Sequence, residues 1–299
     1  MSKLDDDAIV QQLKRIADAM ERHWPPLPER ADMVRAEAYV WHSDIRKLVP
    51  VKSVNRLAIS LLLGVNEQRD LLMANTNAFA NKLPANNALL WGARGTGKSS
   101  LVKSVHGTIS ASGLDCGLVE IHREDIADLP LLMNFLSTID RQFVVFCDDL
   151  AFEKGESTYK SLKAALDGGI EGRPENVIFY ATSNRRHLMS RQMIENERSS
   201  AISPSETTEE TVSLSDRFGL WIGFHSIDQD TYIDMIDKYI QYFNIKADGI
   251  DTRAQALAWS ISRGARSGRV AWQYIIDLAA RTNTRLEHKS YNNSARSRN

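Results

Sequence analysis

The sequence predicts an α/β fold, with a parallel sheet of five strands, a helical extension before it and a helical domain after it. Three observations lead to this prediction. Short apolar runs of strand length alternate with helix-compatible segments in the middle of the chain, which is typical of βαβ crossovers. A glycine-rich turn joins one of these runs to the segment that follows it. Residues 225–285 show helical spacing of apolar residues throughout.

The first element is predicted to be an amphipathic helix within an N-terminal helical extension, residues 1–49. Apolar residues from Ile9 to Met20 recur at helical spacing. The Trp-Pro-Pro-Leu-Pro segment at residues 24–28 ends this helix, because proline cannot continue the backbone hydrogen-bond ladder. A second helical stretch is expected at residues 31–41.

Residues 50–224 are predicted to form the α/β domain. Within it, residues 191–213 are rich in serine, threonine and glutamate and lack apolar periodicity. Such a segment cannot bury enough apolar surface to fold by itself, so we expect a mobile polar loop. The expected strands are residues 88–91, 117–121, 143–147, 177–182 and 220–224.

Residues 225–285 are predicted to form a helical domain, and the polar, basic residues 286–299 a frayed tail. Three apolar stripes at helical spacing mark three helices in the domain. Stripes of this kind are typical of core packing rather than of a cofactor groove or a partner groove.

The composition is typical of a soluble globular protein, with 43% hydrophobic and 25% charged residues. The start of the chain lacks the apolar core of a signal peptide, and no apolar run reaches the ~20 residues of a membrane helix. We therefore expect a cytoplasmic protein without a membrane partner. Cys116 and Cys147 lie in apolar runs and are expected to be buried, reduced thiols. A net charge of −1 argues against bulk attraction to nucleic acid and leaves a local basic groove open.

The glycine-rich turn has the pattern G-x-x-x-x-G-K-S and lies between an apolar strand and a helix-compatible segment. Its glycines allow the backbone to wrap around a polyphosphate, so that successive N–H groups point at the phosphate oxygens. Lys98 is expected to reach the β- and γ-phosphates, and the Ser99 hydroxyl to bind Mg²⁺. The predicted nucleotide-binding residues are Gly92, Ala93, Arg94, Gly95, Thr96, Gly97, Lys98, Ser99 and Ser100.

Two carboxylates, Asp148 and Asp149, follow the apolar run at residues 143–147. Magnesium favours one or two carboxylates together with phosphate oxygens. We therefore predict that Asp148 helps to hold Mg²⁺ and that Asp149 polarises the attacking water. By itself such a pair is weak evidence, because acidic residues often begin turns; its position downstream of a phosphate-binding loop strengthens it.

The order of these motifs resembles that of AAA+ P-loop ATPases and, more narrowly, a bacterial AAA+ family catalogued only as a domain of unknown function. The phrases behind the narrower resemblance are Gly-Ala-Arg-Gly-Thr-Gly-Lys-Ser-Ser-Leu-Val-Lys from Gly92, Ala-Thr-Ser-Asn-Arg-Arg-His-Leu from Ala181 and Leu-Ser-Asp-Arg-Phe-Gly-Leu from Leu214. The resemblance covers residues 64–278. It implies that ATP and Mg²⁺ are the ligands and that residues 225–285 form a helical lid.

The resemblance also implies roles for three further residues. Asn184 is similar to sensor 1, which helps to orient the lytic water. Arg217 is similar to an arginine finger that acts in trans on the ATP of a neighbouring subunit, where a guanidinium would stabilise charge on the γ-phosphate. Arg269 is similar to sensor 2, which couples the γ-phosphate to the lid. Each of these is alternatively a turn cap or a surface cation; Arg186 competes with Arg217, and Arg266 with Arg269.

Two features depart from the AAA+ pattern. The usual acidic pair is Asp-Glu, whereas this chain has Asp148-Asp149, so Glu153 is an alternative base. Residues 122–130 lack the aromatic-apolar-glycine loop that lines the pore of unfoldases. This second departure argues against the threading of a protein chain.

The sequence thus predicts an enzyme that binds and hydrolyses Mg-ATP in a homo-oligomer to remodel or regulate a partner macromolecule, either a protein or a nucleic acid. A nucleic-acid-acting ATPase of the helicase-loader type is one alternative, since such enzymes share the Asp-Asp pair. A nucleotide-gated scaffold with little turnover, which would use the N-terminal helices as a docking arm, is another.

Overall fold

The structure, a computed structural model, describes residues 3–23, 26, 33–152, 158–168, 170, 172–186, 188, 214 and 216–286. Its strands are β1 (Ala38–His42), β2 (Lys47–Pro50), β3 (Ala88–Gly92), β4 (Cys116–Glu120), β5 (Gln142–Cys147), β6 (Val177–Ser183) and β7 (Leu220–Phe224). Its α-helices are α1 (Lys3–His23), α2 (Asn66–Ala80), α3 (Lys98–Ala111), α4 (Leu129–Ser137), α5 (Thr158–Asp167), α6 (Gln229–Phe243), α7 (Thr252–Ser262) and α8 (Gly268–Arg281).

The strands form one sheet in the order β2-β1-β4-β5-β6-β3-β7. Strands β3 to β7 correspond to the five predicted strands, and all of their pairings are parallel. The α/β prediction with a parallel five-stranded core is therefore confirmed. The described sheet is larger than predicted, because β1 and β2 extend it to seven strands.

The helix predicted at residues 31–41 is wrong, because Ala38–His42 is strand β1. It pairs in parallel with β4 and in antiparallel fashion with β2, where Tyr39 lies opposite Pro50. Tyr39 and Trp41 alternate along the strand and are both buried. This alternation of large aromatic side chains is the period of a strand rather than of a helix, so the region before residue 50 is not helical throughout.

Helices cover both faces of the sheet, and adjacent residues of one strand point into different cores. In β3, Leu89 belongs to the core beneath α4 and α5, whereas Leu90 belongs to the core formed with α2 and α3. All six residues of β5 are buried for the same reason. Burial on both faces explains why the central strands are continuous apolar runs.

Helices α6, α7 and α8, which we refer to as the C-terminal helical unit, form a third core. Tyr232, Ile236 and Tyr274 are among its buried members. Each helix begins after a capping side chain that accepts a backbone N–H, namely Asp228, Asp251 and Ser267. The three helices predicted in this part of the chain are therefore present.

Helix α1 is amphipathic, as predicted, and its described side chains from Ile9 to Glu21 are all exposed. Among the helices of the described ranges, none combines the length and the apolar character needed to cross a membrane. The predicted mobile loop at residues 191–213 and the tail beyond residue 286 lie outside the described residues.

Candidate functional site

The sheet brings most of the predicted site residues to the carboxyl ends of its central strands. Strand β6 lies between β3 and β5, and all three run in the same direction. Their carboxyl ends therefore lie side by side: Gly92 ends β3, Asp148 follows β5, and Asn184 follows β6. The edge at the carboxyl ends of parallel strands is where open α/β sheets bind their ligands.

The glycine-rich loop needs its glycines for backbone reasons. The φ angles of Gly92, Gly95 and Gly97 are +140°, +80° and +97°, conformations that side chains disfavour. A Cβ atom at Gly92 would also lie 2.1 Å from the carbonyl oxygen of Phe224 in β7. Gly97 is the N-cap of α3, so the loop leads directly into the positive end of a helix dipole.

Lys98 is buried at the start of α3 and makes three polar contacts. Its Nζ donates to the carbonyl oxygens of Gly92 and Ala93, both at 2.8 Å, and to Oδ1 of Asn184 at 3.2 Å. Burial lowers the pKa of the Lys98 ammonium, and the nearby carboxylates partly offset this effect. The contacts hold the ammonium at the mouth of the loop.

A carboxylate and two hydroxyls meet beside the loop. Ser99 Oγ and Thr182 Oγ1 each donate to Oδ1 of Asp148 at 2.5 Å. Hydroxyl and carboxylate oxygens are ligands that Mg²⁺ prefers, so Ser99 and Asp148 are the residues that could hold this ion. Within the described ranges, no three His, Cys, Asp or Glu side chains are grouped as in a metal site made by protein alone, and a cation here would need phosphate oxygens as well.

Asp149 follows the buried strand β5 and is exposed. Its φ of +53° is the left-handed conformation, which is uncommon for a residue with a side chain. Its carboxylate accepts a short hydrogen bond from Nδ2 of Asn184 and lies 3.7 Å from the Arg94 guanidinium. Because Asn184 also accepts from Lys98, its amide joins the loop lysine to this carboxylate.

These groups line a cleft of about 610 Å³, a size typical of small-molecule sites. The polar part of the lining contains the loop and the two aspartates. A mostly apolar part, which we refer to as the apolar wall, comes from the segment before α2 and from the C-terminal helical unit. The apolar wall contains Leu57, Leu61, Leu62, Leu63, Val65, Met235, Tyr239 and Trp272.

Arg269 lies at the start of α8 and lines this cleft. Its backbone N–H donates to the carbonyl oxygen of Gly95 at 3.3 Å, so the C-terminal helical unit rests directly on the loop. A Cβ atom at Gly95 would lie 2.9 Å from Ser267 Oγ, which shows how close this approach is. Arg266, the competing cation, is exposed and is not among the residues lining the cleft.

Arg217 lies away from the cleft. Its Nε lies 2.5 Å from Oδ1 of Asp167, at the end of α5. Arg217 lies shortly before Leu220, the first residue of β7. Phe224, the last residue of β7, pairs with Gly92 at the opposite end of the strand. The sheet therefore separates Arg217 from its own phosphate loop. Arg186, its competitor, is placed with its guanidinium carbon 5.3 Å from the centre of the Trp91 ring.

The structure brings most of the predicted site residues together. Arg94 to Ser100 line the cleft with Asp148, Asp149, Asn184 and Arg269, whereas Gly92 and Ala93 contribute the carbonyl groups that hold Lys98. The motifs in the sequence do not place Thr182, the cations Arg56 and Lys103, or the apolar wall in the cleft. Thr182 lies in the phrase that carries the resemblance, but its position opposite Asp148 becomes visible only when the order of strands is known. Glu153 lies outside the described residues.

The comparison with solved structures finds proteins that are distant in sequence. Orc1 of Aeropyrum pernix in complex with DNA matches with a TM-score of 0.52 and 16% identity, over 76% of this chain and 66% of that chain. The RuvB Holliday junction branch migration motor of Thermotoga maritima matches with a TM-score of 0.41 and 14% identity, over 74% and 71% of the two chains. AMPPCP-bound DnaA of Aquifex aeolicus matches with a TM-score of 0.44 and 15% identity, over 72% and 62%.

The chain spans just under two thirds of the Orc1 chain, and at this low identity the likeness to Orc1 establishes the fold, which is that of AAA+ P-loop ATPases. No curated protein matches the sequence. A family model described as "Protein of unknown function (DUF815)" matches residues 34–282, which is most of the chain. This confirms the narrower resemblance, and the protein therefore belongs to the DUF815 family and has an AAA+ P-loop ATPase fold.

Proposed function

We propose that this protein binds Mg-ATP and hydrolyses it in a homo-oligomer. The observation that carries the proposal is the convergence of Lys98, Ser99, Asp148, Asp149 and Asn184 at one edge of the sheet. A lysine, a hydroxyl, a metal-binding carboxylate, a second carboxylate and an orienting amide are the groups that phosphoryl transfer to water requires.

The phosphates of ATP would lie over the N-terminus of α3. The N–H groups of the loop and the positive end of the helix dipole face that position, and Lys98 would supply a charge-assisted hydrogen bond. Arg94 and Arg269 line the same part of the cleft and add positive charge. The purine would lie against the apolar wall, where flat aromatic and aliphatic surfaces replace water.

Ser99 and Asp148 would hold the Mg²⁺ that accompanies ATP, since their oxygens already meet. When bound, the ion neutralises charge on the β- and γ-phosphates. Asp149 would accept a hydrogen bond from the attacking water, and Asn184 would hold the Asp149 carboxylate in place. Glu153 is the alternative base, and separate substitutions of Asp149 and Glu153 show which of the two hydrolysis requires.

Arg217 would act on the ATP of a neighbouring subunit. Its position beside Asp167, at the far end of β7 from the loop, supports this role, because a cation there faces away from its own cleft. The site would then be complete only in an oligomer, and Arg269 would report the state of the nucleotide to the C-terminal helical unit.

The cycle would act on a partner macromolecule. Steady-state release of phosphate from ATP by the purified protein, with Mg²⁺ and with a chelator, tests the proposal. We expect turnover that needs Mg²⁺ and is lost in Lys98→Ala. Tight ATP binding without turnover at any protein concentration would favour the nucleotide-gated scaffold. DNA binding that weakens steeply with salt would favour the helicase-loader type, and the Orc1 complex with DNA makes that measurement worthwhile.

A further inference from the structure

Thr182 is a buried residue of β6 that the roles proposed above do not use. Its side chain is about as buried as that of any residue of the central strands, with 1% exposure. In the register of β5 and β6, Cys147 lies opposite Ala181, which places the next residue, Thr182, beside Asp148. It therefore lies where β6 meets the turn that carries both carboxylates.

Three hydrogen bonds attach this turn to Thr182. The Thr182 hydroxyl donates to Oδ1 of Asp148 at 2.5 Å and accepts the backbone N–H of Asp149 at 2.9 Å. The Thr182 carbonyl accepts the N–H of Leu150 at 2.7 Å. A hydroxyl can donate once and accept at the same time, and here it uses both capacities on adjacent residues.

The bond to the N–H of Asp149 matters because of the conformation of that residue. With φ at +53°, Asp149 adopts a left-handed conformation that costs free energy unless its surroundings hold it. The Asp149 side chain is also one methylene shorter than the glutamate of the usual AAA+ acidic pair. The position of its carboxylate therefore depends closely on the conformation of its backbone. Thr182, at 2.9 Å, and Asp148 Oδ1, at 3.1 Å, share the N–H of that backbone, and Thr182 also holds Asp148 Oδ1, while Asn184 holds the Asp149 carboxylate itself.

We propose that Thr182 is a positioning residue for ATP hydrolysis: its hydroxyl sets Asp148 for the metal and places the short Asp149 side chain where it reaches the attacking water. This inference rests on the proposed function. Thr182 acts through the two aspartates, so its removal should affect turnover and the Mg²⁺ requirement more than the affinity for ATP. Loss of an outer-shell partner of a metal site typically costs about 10–100-fold in activity or metal affinity.

The test compares Thr182→Val, which keeps the shape and removes the hydroxyl, with Thr182→Ser, which restores the hydroxyl. Thr76→Val is the matched control, because Thr76 is also 1% exposed and its hydroxyl contacts Tyr180 of the same strand. We expect Thr182→Val to lower kcat about 10–100-fold and to raise the Mg²⁺ concentration for half-maximal rate, with an ATP Kd within about threefold of the native value. Thr182→Ser and Thr76→Val should remain close to native.

The proposal is overturned if Thr182→Val turns over ATP like Thr76→Val, or if Thr182→Ser loses as much activity as Thr182→Val. A loss of ATP affinity equal to the loss of kcat would show a merely structural role and also overturns it. If the valine variant does not fold, Thr182→Ala is judged by the same criteria, and if neither folds the role is structural. Failure of the proposed function looks different: the native protein itself would then show no Mg²⁺-dependent turnover.

Discussion

Lys98 Nζ and the amide oxygen of Asn184 lie 3.2 Å apart, although the residues are 86 positions apart in the chain. The contact exists because β6 lies directly beside β3. Asn184, which follows β6, therefore meets Lys98, which follows the glycine-rich loop at the end of β3. The same amide donates to Asp149. Lys98 is therefore connected to Asp149, the carboxylate proposed as the base, by two hydrogen bonds through the amide of Asn184.

Lys98→Ala should remove tight ATP binding, because the loop loses the ammonium that is proposed to bind the β- and γ-phosphates. A charge-assisted hydrogen bond of this kind contributes about 1.5–3 kcal/mol, which corresponds to roughly tenfold to over a hundredfold in affinity. Titration with a fluorescent ATP analogue measures the change. Lys160→Ala, at an exposed position of α5, is the control and should bind normally. Native affinity in Lys98→Ala would contradict the phosphate-loop assignment.

Asp149→Asn should trap ATP, whereas Asp148→Asn should weaken Mg²⁺-dependent binding. The first variant keeps the proposed metal ligand and loses the charge that polarises water; the second loses the ligand. Single-turnover kinetics and Mg²⁺ titrations of ATP binding separate the two effects. If Asp149→Asn hydrolyses ATP at the native rate while Glu153→Gln does not, the base is Glu153.

The parts of the fold that follow from local patterns were predictable. Strands β3 to β7 are apolar runs bounded by turns, and the glycine-rich loop has a spacing that few other structures require. Strand β1 was missed because residues 38–41 form a short, continuous apolar run, which hides the alternation of Tyr39 and Trp41; the pairing with β4 shows that the run is a strand. Short apolar runs are ambiguous in this way.

The parts of the site that depend on strand order were not predictable from spacing. Thr182 meets Asp148 only because β6 lies between β3 and β5, and a single sequence does not report that order. The contact of Arg217 with Asp167 likewise joins the turn before β7 to the end of α5, two segments that are far apart in the sequence. By contrast, the resemblance placed Arg269 at the start of a helix, and the structure has it there; its role as sensor 2 stays a prediction.

Protonation of His106 should destabilise the protein in mild acid. The ring is buried beneath the sheet, with Nε2 at 2.9 Å from the carbonyl oxygen of Cys116, and burial lowers its pKa below the ordinary 6.5. Because the unfolded chain binds the proton more readily, stability falls as the pH drops below 6.5 towards the lowered pKa of the folded state. Thermal unfolding at a series of pH values measures this.

The matched variant is His106→Gln, which can still donate to the carbonyl of Cys116 and does not titrate. We expect it to be less stable than the native protein at neutral pH, and to lose less stability than the native protein on acidification. An equal acid-induced loss in both proteins would show that other groups, such as the surface carboxylates, account for the whole effect.

Arg217 should be needed for hydrolysis and not for ATP binding, since we propose that it acts on the ATP of a neighbouring subunit. A finger supplied in this way contributes about 10³–10⁵ in turnover in related phosphoryl transfers. Arg217→Ala should therefore bind ATP almost normally and hydrolyse it poorly, and the specific activity of the native protein should rise with protein concentration. Arg253→Ala, which removes an exposed cation of α7, is the control and should hydrolyse normally.

Mixing two inactive variants tests whether the site is shared. Lys98→Ala has an intact Arg217 and a damaged cleft, whereas Arg217→Ala has an intact cleft and no finger. In a mixed oligomer, some interfaces join an intact finger to an intact cleft, so the mixture should hydrolyse ATP faster than the sum of the two variants alone. This gain should disappear on dilution, together with the native activity. Activity independent of protein concentration, with no gain on mixing, would mean that each chain contains a complete site and that the Arg217–Asp167 contact serves only to fasten α5 to the start of β7.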